Sequence, residues 1–168
     1  MDIRDNLTRE GEVGEMMVTM DLTKKGYIVS TPNTSSSPYD KIVDLHGNLQ
    51  KLQVKSMRLL KNGCLKVPLR NRKNSSVAKN NRGRSHNYVK LVDYIAVWIK
   101  DTSDVFYIPT AVLPKDKSTV LFRSKKHLGR SKAPLIENYT NLEDGFKEIE
   151  KCRNPFSKLK LFWNALRK

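Results

Sequence analysis

Apolar positions in the first part of the chain recur with helical spacing. Val13, Met16, Met17 and Met20 fall at i, i+3, i+4 and i+7. They predict a helix from Thr8 to about Lys25, with Gly26 as its stop. Tyr27 to Ser30 then reads as a short strand, and "TPNTSSSP" as a polar loop. In "PYDKIVDLHGNLQKLQVKS", residues 38–56, the apolar Ile42, Val43 and Leu45 precede a His46-Gly47-Asn48 turn, and Leu52 and Val54 follow it. This is the pattern of a hairpin. Residues 57–87 carry no clear period, although "CLKVPLRN" contains a candidate strand and "RNRKNSSVAKNNRGRSHN" reads as a turn-rich basic arm. The β-branched and aromatic run Tyr94–Ile99 predicts a buried strand. "DTSD" turns it, "VFYIP" returns, and "STVLFRS" adds a further short strand. "NLEDGFKEIEKC" and "PFSKLKLFWNALRK" read as two C-terminal helices, split at Asn154-Pro155. One leading helix, five or six strands and closing helices predict a mixed α/β or α+β sheet. At 168 residues the chain is expected to form a single domain.

Charge narrows the class of partner. The formal net charge is +15. No Asp or Glu occurs from Leu45 to Val92, a span that holds twelve Lys and Arg residues. A solvated surface ordinarily mixes signs, so a one-signed run points to a polyanion, and nucleic acid is the expected partner. Within the basic insertion at residues 57–92, Arg70, Arg72, Lys73, Lys79, Arg82, Arg84 and His86 are the candidate DNA contacts. An anionic membrane surface fits less well, because the run has no amphipathic helical period. No apolar stretch reaches the length of a membrane span, and "MDIRDNLTRE" has no apolar signal region, so a cytoplasmic location is expected. Cys64 and Cys152 are far apart and are read as two thiols, not a disulfide.

The hairpin carries the candidate chemistry. Phosphodiester hydrolysis uses a metal ion to polarise the phosphate and to acidify a bound water. Magnesium takes oxygen ligands, commonly one or two carboxylates with water and substrate phosphate. A lysine alongside orients the water and offsets charge on the phosphate. Asp40 stands at the start of the first arm. Gln53 and Lys55, two apart, share one face of the second arm. Val54 between them points to the core, with its backbone carbonyl available as another oxygen. A further acid is expected from the leading helix. Each residue also has an ordinary reading: Asp40 as a turn acid after Pro38, Gln53 as a solvent-facing strand residue, Lys55 as a plain phosphate contact. Asp44, near the turn, is the alternative acid to Asp40. His46, His86 and His127 have no zinc-like spacing with either cysteine, and no GxxxxGK[ST] loop is present, so neither zinc nor ATP is expected.

"PYD", twelve residues and then "QVK" resembles the PD-(D/E)XK nuclease superfamily. The closer resemblance is to bacterial homing endonucleases encoded in group I introns, in which Gln replaces the usual second acid. "GEVGE", "KKGYIVSTP", "VDYIAVWI" and "FYIP" are landmarks of the same resemblance, which runs from about Arg9 to Pro109. It implies a restriction-endonuclease-like core, a mixed central sheet flanked by helices. It implies a Mg2+-dependent endonuclease cutting double-stranded DNA at specific sites. Asp40 would be the principal metal ligand, with the side-chain oxygen of Gln53 and the Val54 carbonyl beside it. Lys55 would be the catalytic lysine, and Glu15 the acid of the leading helix. The helical wheel instead places Glu12 nearer the Val13/Met16/Met20 stripe, so both helix acids stay open here. Cutting two strands with one site per chain implies a homodimer or homotetramer. The apolar face of residues 141–168, with Phe156, Leu159, Phe162, Trp163 and Leu166, is a candidate assembly surface, or equally a helix packed on its own core. A junction-resolving nuclease of the same fold and a non-catalytic DNA-binding protein are the rival readings.

Overall fold

The run Tyr94–Ile99 is apolar throughout because both of its faces are covered. The structure is a computed structural model and describes residues 3–34, 36–70, 87–125, 132–143 and 145. Helix α1 spans Ile3–Lys24. Strands β1 (Ile28–Ser30), β2 (Lys41–Leu45) and β3 (Asn48–Met57) follow, then β4 (Cys64–Pro68), β5 (Tyr94–Ile99), β6 (Val105–Pro109) and β7 (Thr119–Arg123). Short 3₁₀ turns occupy Tyr88–Lys90, Thr110–Val112 and Ile136–Tyr139. Five strands form a mixed sheet in the order β1-β2-β3-β5-β6. β3 and β5 are parallel and the other neighbours antiparallel. β4 and β7 form a separate antiparallel ribbon. Among the described residues, no helix is long and apolar enough to cross a membrane.

Each face of the sheet has its own core. Val18 and Leu22 of α1 pack against Val43, Leu52, Val54, Tyr94, Ala96 and Tyr107 on one face. On the other face Ile95, Val97, Ile99, Phe106 and Ile108 meet Leu65 and Val67 of β4 and Phe122 of β7. Strand alternation along β5 and β6 divides the side chains between the two cores. Cys64, at the start of β4, is a buried thiol in no disulfide among the described residues.

The expected strands are present, and "CLKVPLRN" and "STVLFRS" supply the ribbon partners β4 and β7. The hairpin turn is tighter than expected. It consists of His46 and Gly47 alone, with φ of 53° and 82°, and Asn48 already belongs to β3. Two left-handed residues suit the right-handed twist of a two-residue hairpin. Gly47 N–H donates to Asp44 Oδ1 at 2.7 Å. Asp44 is therefore bonded within the turn. The two expected C-terminal helices, with Cys152 and the apolar face at Phe156–Leu166, lie outside the described residues beyond Gly145.

The buried face of α1 differs from the expected one. Val13, Met16 and Met20 are exposed, whereas Val18 and Leu22 are fully buried. Burying those two side chains contributes about 1.5–3 kcal/mol each, which outweighs the apolar spacing of the methionines. The helix packs through Gly14, Val18 and Leu22, positions 14, 18 and 22 of one face. Gly14 is the point of closest approach. A Cβ there would lie 1.9 Å from Ser56 Oγ and 3.4 Å from Trp98 Cε3. The approach is fixed on either side of Gly14. Ser56 Oγ donates to the Glu10 carbonyl at 3.0 Å, and Tyr107 Oη donates to Asp21.

Gly14→Ala tests this contact. Alanine favours a helix over glycine by about 1 kcal/mol, but forcing an atom into a packed contact costs about 1–3 kcal/mol. The substitution should lower the urea-unfolding midpoint. In a Ser56→Ala background, which removes the obstructing Oγ, the same substitution should cost at least about 1 kcal/mol less. Equal cost in both backgrounds would show that Gly14 and Ser56 do not oppose each other.

Candidate active site

Pairing between β2 and β3 stops at Lys41 opposite Leu52, although β3 runs on to Met57. Asp40 N–H still donates to the Leu52 carbonyl at 2.8 Å. Beyond that point no strand among the described residues covers the edge of β3. The Asp40 side chain takes the next position, and its Oδ2 accepts the Val54 N–H at 2.7 Å. The same oxygen accepts from the side-chain amide of Gln53. Asp40 is thus a backbone-bonded acid on the open edge and not merely a turn residue after Pro38. A strand residue directs its N–H and C=O to the same edge, so the Val54 carbonyl also faces this opening while its side chain is buried in the helix-side core.

Gln53 and Lys55 project to the ribbon face, beside Ile95 and Val97 in register. Gln53 is only 8% exposed, which removes the reading of a solvent-facing residue. Lys55 is half-buried, and its Nζ donates to Tyr88 Oη at 3.2 Å while lying 4.3 Å from the centre of the Tyr88 ring. From the other side, α1 brings Glu15 to the opening. Glu15 Oε2 is 3.0 Å from Lys41 Nζ. Together Glu10, Gly11, Glu15, Asp40, Gln53, Val54, Lys55 and Ser56 line a cleft of about 300 Å³. Glu12 is exposed and lines a neighbouring groove on the outer side of α1. The wheel favoured it because the methionine stripe looked like the packed face. With packing through Gly14, Val18 and Leu22, Glu15 borders the cleft, as does Glu10, which is bonded to Lys100, and Glu12 does not.

Burial dominates the electrostatics. It pushes the Asp40 carboxyl above its usual range, with the Glu15 carboxylate adding to the rise. The Val54 N–H, Lys55 and Lys41 pull the other way. Burial likewise lowers the Lys55 ammonium, with partial opposition from Asp40. Glu10 behaves differently: its bond and charge pairing with Lys100 hold its carboxyl low. Both shifts at Asp40 and Lys55 express removal from water, which disfavours each charged form, and the opposite charge of the other group only partly offsets it.

Among the described residues, no group of three His, Cys, Asp or Glu side chains is placed to hold a metal ion. The oxygens that do converge are of mixed kind: the Asp40 carboxylate, the Gln53 amide, the Val54 carbonyl and, across the cleft, Glu15. That donor set is hard and oxygen-only, and few carboxylates suffice for a magnesium ion that keeps several waters. The residues fit such an ion.

Glu10, Ser56 and Tyr88 belong to the cleft or touch its lysine, and sequence reasoning did not single them out. Ser56 directly follows the "QVK" triplet, and Glu10 opens "EGEVGE", so proximity was the available signal for both. Tyr88 lies 33 residues from Lys55 and had none. Arg70 is described at the base of the basic segment. It bridges Asn87, and its Nη2 donates to the Asp116 carbonyl at 3.1 Å. The other expected DNA contacts, Arg72, Lys73, Lys79, Arg82, Arg84 and His86, lie outside the described residues.

Comparison with known proteins places this cleft in a family. No curated protein matches the chain. Among solved structures, the bacterial homing endonuclease I-Ssp6803I has the same fold, with a TM-score of 0.64 at 22% identity, over 87% of this chain and 95% of that one. The Holliday junction resolvase Hjc of the archaeal hyperthermophile Archaeoglobus fulgidus aligns at a TM-score of 0.42 and 12% identity, over 70% of this chain and 86% of that one, a likeness that carries no argument. The family model of the PD-(D/E)XK endonucleases matches residues 6–142, from α1 through the whole of both sheets. The chain belongs to the PD-(D/E)XK endonuclease family.

Proposed function

We propose that the protein is a magnesium-dependent endonuclease that cuts double-stranded DNA at specific sites, in the manner of a homing endonuclease. The observation that carries this reading is the convergence of Asp40, Gln53 and Lys55 on one cleft whose far wall holds Glu15. Asp40, the Gln53 side-chain oxygen and the Val54 carbonyl would hold the ion, with Glu15 as the additional acid. When bound, the ion supplies polarisation of the scissile phosphate and a more acidic water. The Gln53 amide now donates to Asp40. Its oxygen and nitrogen are alike in shape, so a half-turn of the amide presents the oxygen instead.

Lys55 has two tasks on this reading. Its ammonium opposes the charge that grows on the phosphate, and it orients the attacking water. Glu15 is tied to Lys41, which keeps that carboxylate on the cleft wall. The basic segment, from Arg70 to Lys90, supplies contacts to the DNA backbone. Two chains, as a homodimer or homotetramer, would set one cleft against each strand.

Plasmid nicking tests the reading. Cleavage should require magnesium and stop in chelator. Asp40→Ala and Lys55→Ala should each reduce it about 100-fold or more, while DNA affinity stays within about twofold because the phosphate contacts lie elsewhere. Equal DNA retention with and without magnesium, and no nicking in either, would identify a binding protein. Preference for four-way over linear DNA would identify a junction-resolving enzyme.

Gln53 distinguishes a ligand from a bystander. Gln53→Glu should tighten magnesium binding, measured by calorimetry, and retain part of the cleavage activity. Gln53→Leu preserves much of the volume without the oxygen and should lose activity. A Leu variant as active as the wild type would remove Gln53 from the site.

The basic segment should set the salt dependence of binding. Neutralising any one of Arg72, Lys73, Lys79, Arg82 or Arg84 should flatten the log-log plot of affinity against salt by roughly one unit. Binding that is insensitive between about 50 and 200 mM salt would exclude the phosphate-contact role.

A further inference from the structure

We propose that Tyr88 is a positioning residue for Lys55, holding its ammonium at the cleft through the hydroxyl and the ring face together. The inference rests on the reading of Lys55 as the catalytic lysine. Among the described residues, the only hydrogen bond of Lys55 Nζ is the one to Tyr88 Oη, at 3.2 Å, and Nζ lies 4.3 Å from the ring centre. The neighbouring carboxylate is not its hydrogen-bonding partner: Asp40 Oδ2 takes the Val54 N–H and the Gln53 amide instead.

The choice of partner has a chemical consequence. A carboxylate bonded to Lys55 would fix the ammonium and cancel its charge. A tyrosine hydroxyl accepts one of its three N–H donors, and the aromatic face attracts the cation, without bringing a formal charge. The lysine is thereby located and its positive charge remains available to a phosphate. The remaining N–H groups are free to meet phosphate or water oxygens.

Tyr88 is itself well anchored. It is 6% exposed. Its N–H donates to the Leu69 carbonyl at 2.9 Å, and its own carbonyl accepts from Leu91 and Val92 at 2.8 and 3.0 Å. Asn87 Oδ1 caps the turn by accepting the Val89 N–H at 3.0 Å. A rigid turn holding a rigid ring fixes the end of a side chain that otherwise has four rotatable bonds.

The test uses the full chain and two readouts. In the metal-free protein, the ε-methylene protons of Lys55, assigned by difference from Lys55→Arg, should resonate upfield because of the Tyr88 ring. The shift should persist in Tyr88→Phe and vanish in Tyr88→Leu. With magnesium, single-turnover cleavage at saturating DNA should fall about tenfold or less in Tyr88→Phe and about 100-fold in Tyr88→Leu, with DNA affinity within about twofold of wild type. The Phe variant retains the ring, so its partial rescue separates positioning of the ammonium from loss of the fold. A wild-type protein without the upfield shift overturns the proposal even if Tyr88→Leu does not fold. So does a Tyr88→Leu variant that cleaves at the wild-type rate. Normal cleavage by Lys55→Ala, with the upfield shift present in wild type, instead overturns the catalytic role of Lys55, and the cleavage role of Tyr88 with it, while leaving the ring contact established.

Discussion

Beyond Leu52, the edge of β3 that faces β2 exposes backbone groups that no strand among the described residues satisfies. A backbone N–H in a partly buried position requires a partner. Asp40 provides it at Val54, and much of the site follows from that bond. The carboxylate must lie along the β3 edge, directly opposite Gln53, and it must be at least partly removed from water. The hairpin before it supplies the register. The two-residue turn at His46-Gly47 pairs Lys41 with Leu52, so the residue preceding Lys41 falls level with Gln53. A shift of one residue would send Gln53 and Lys55 to the helix face and Val54 to the cleft.

The second constraint is the closeness of α1. Without a side chain at position 14 the helix approaches β3 near Ser56, and Glu15 reaches the same opening as Asp40. The cleft then sets Asp40 and Glu15 beside Lys55, with Gln53 neutral among them, while Lys41 pairs with Glu15 from the neighbouring groove. A second acid at position 53 would have added a further negative charge beside Asp40, whose carboxyl is already raised by burial and by Glu15. An amide offers an oxygen without that charge. On the proposed reading, the site exchanges some affinity for the cation for a smaller electrostatic penalty in its absence.

Local patterns were legible, and tertiary ones were not. Alternation at Ile42–Val54 gave the hairpin, and the run at Tyr94–Ile99 gave the doubly buried strand, because burial of each strand face is written into its own residues. Asp40, Gln53, Val54 and Lys55 could be grouped because one hairpin brings them together. The face of α1 was misread. Methionines are large and apolar, and the contact that sets the packing is a glycine, which hydrophobicity does not register. Pairing of β4 with β7 joins Cys64–Pro68 to Thr119–Arg123 across most of a sheet, and no local period encodes it. Tyr88 meets Lys55 only because the chain returns from the basic segment against Leu69. Such contacts belong to the fold as a whole.

That return path bears on how recognition and chemistry are divided. Arg70 and Asn87 bridge at the two ends of residues 71–86, and Tyr88 is the next residue. The ends are therefore pinned to each other and to the ribbon, through Leu69, whatever lies between. On the proposed reading, substitutions among Arg72, Lys73, Lys79, Arg82 and Arg84 would alter which DNA is held and how tightly. They would leave Tyr88, and through it Lys55, in place. Phosphate contacts supply affinity and register, whereas the cleft requires positions held to a fraction of an ångström. Separating the two by a short bridged neck allows one to vary without disturbing the other.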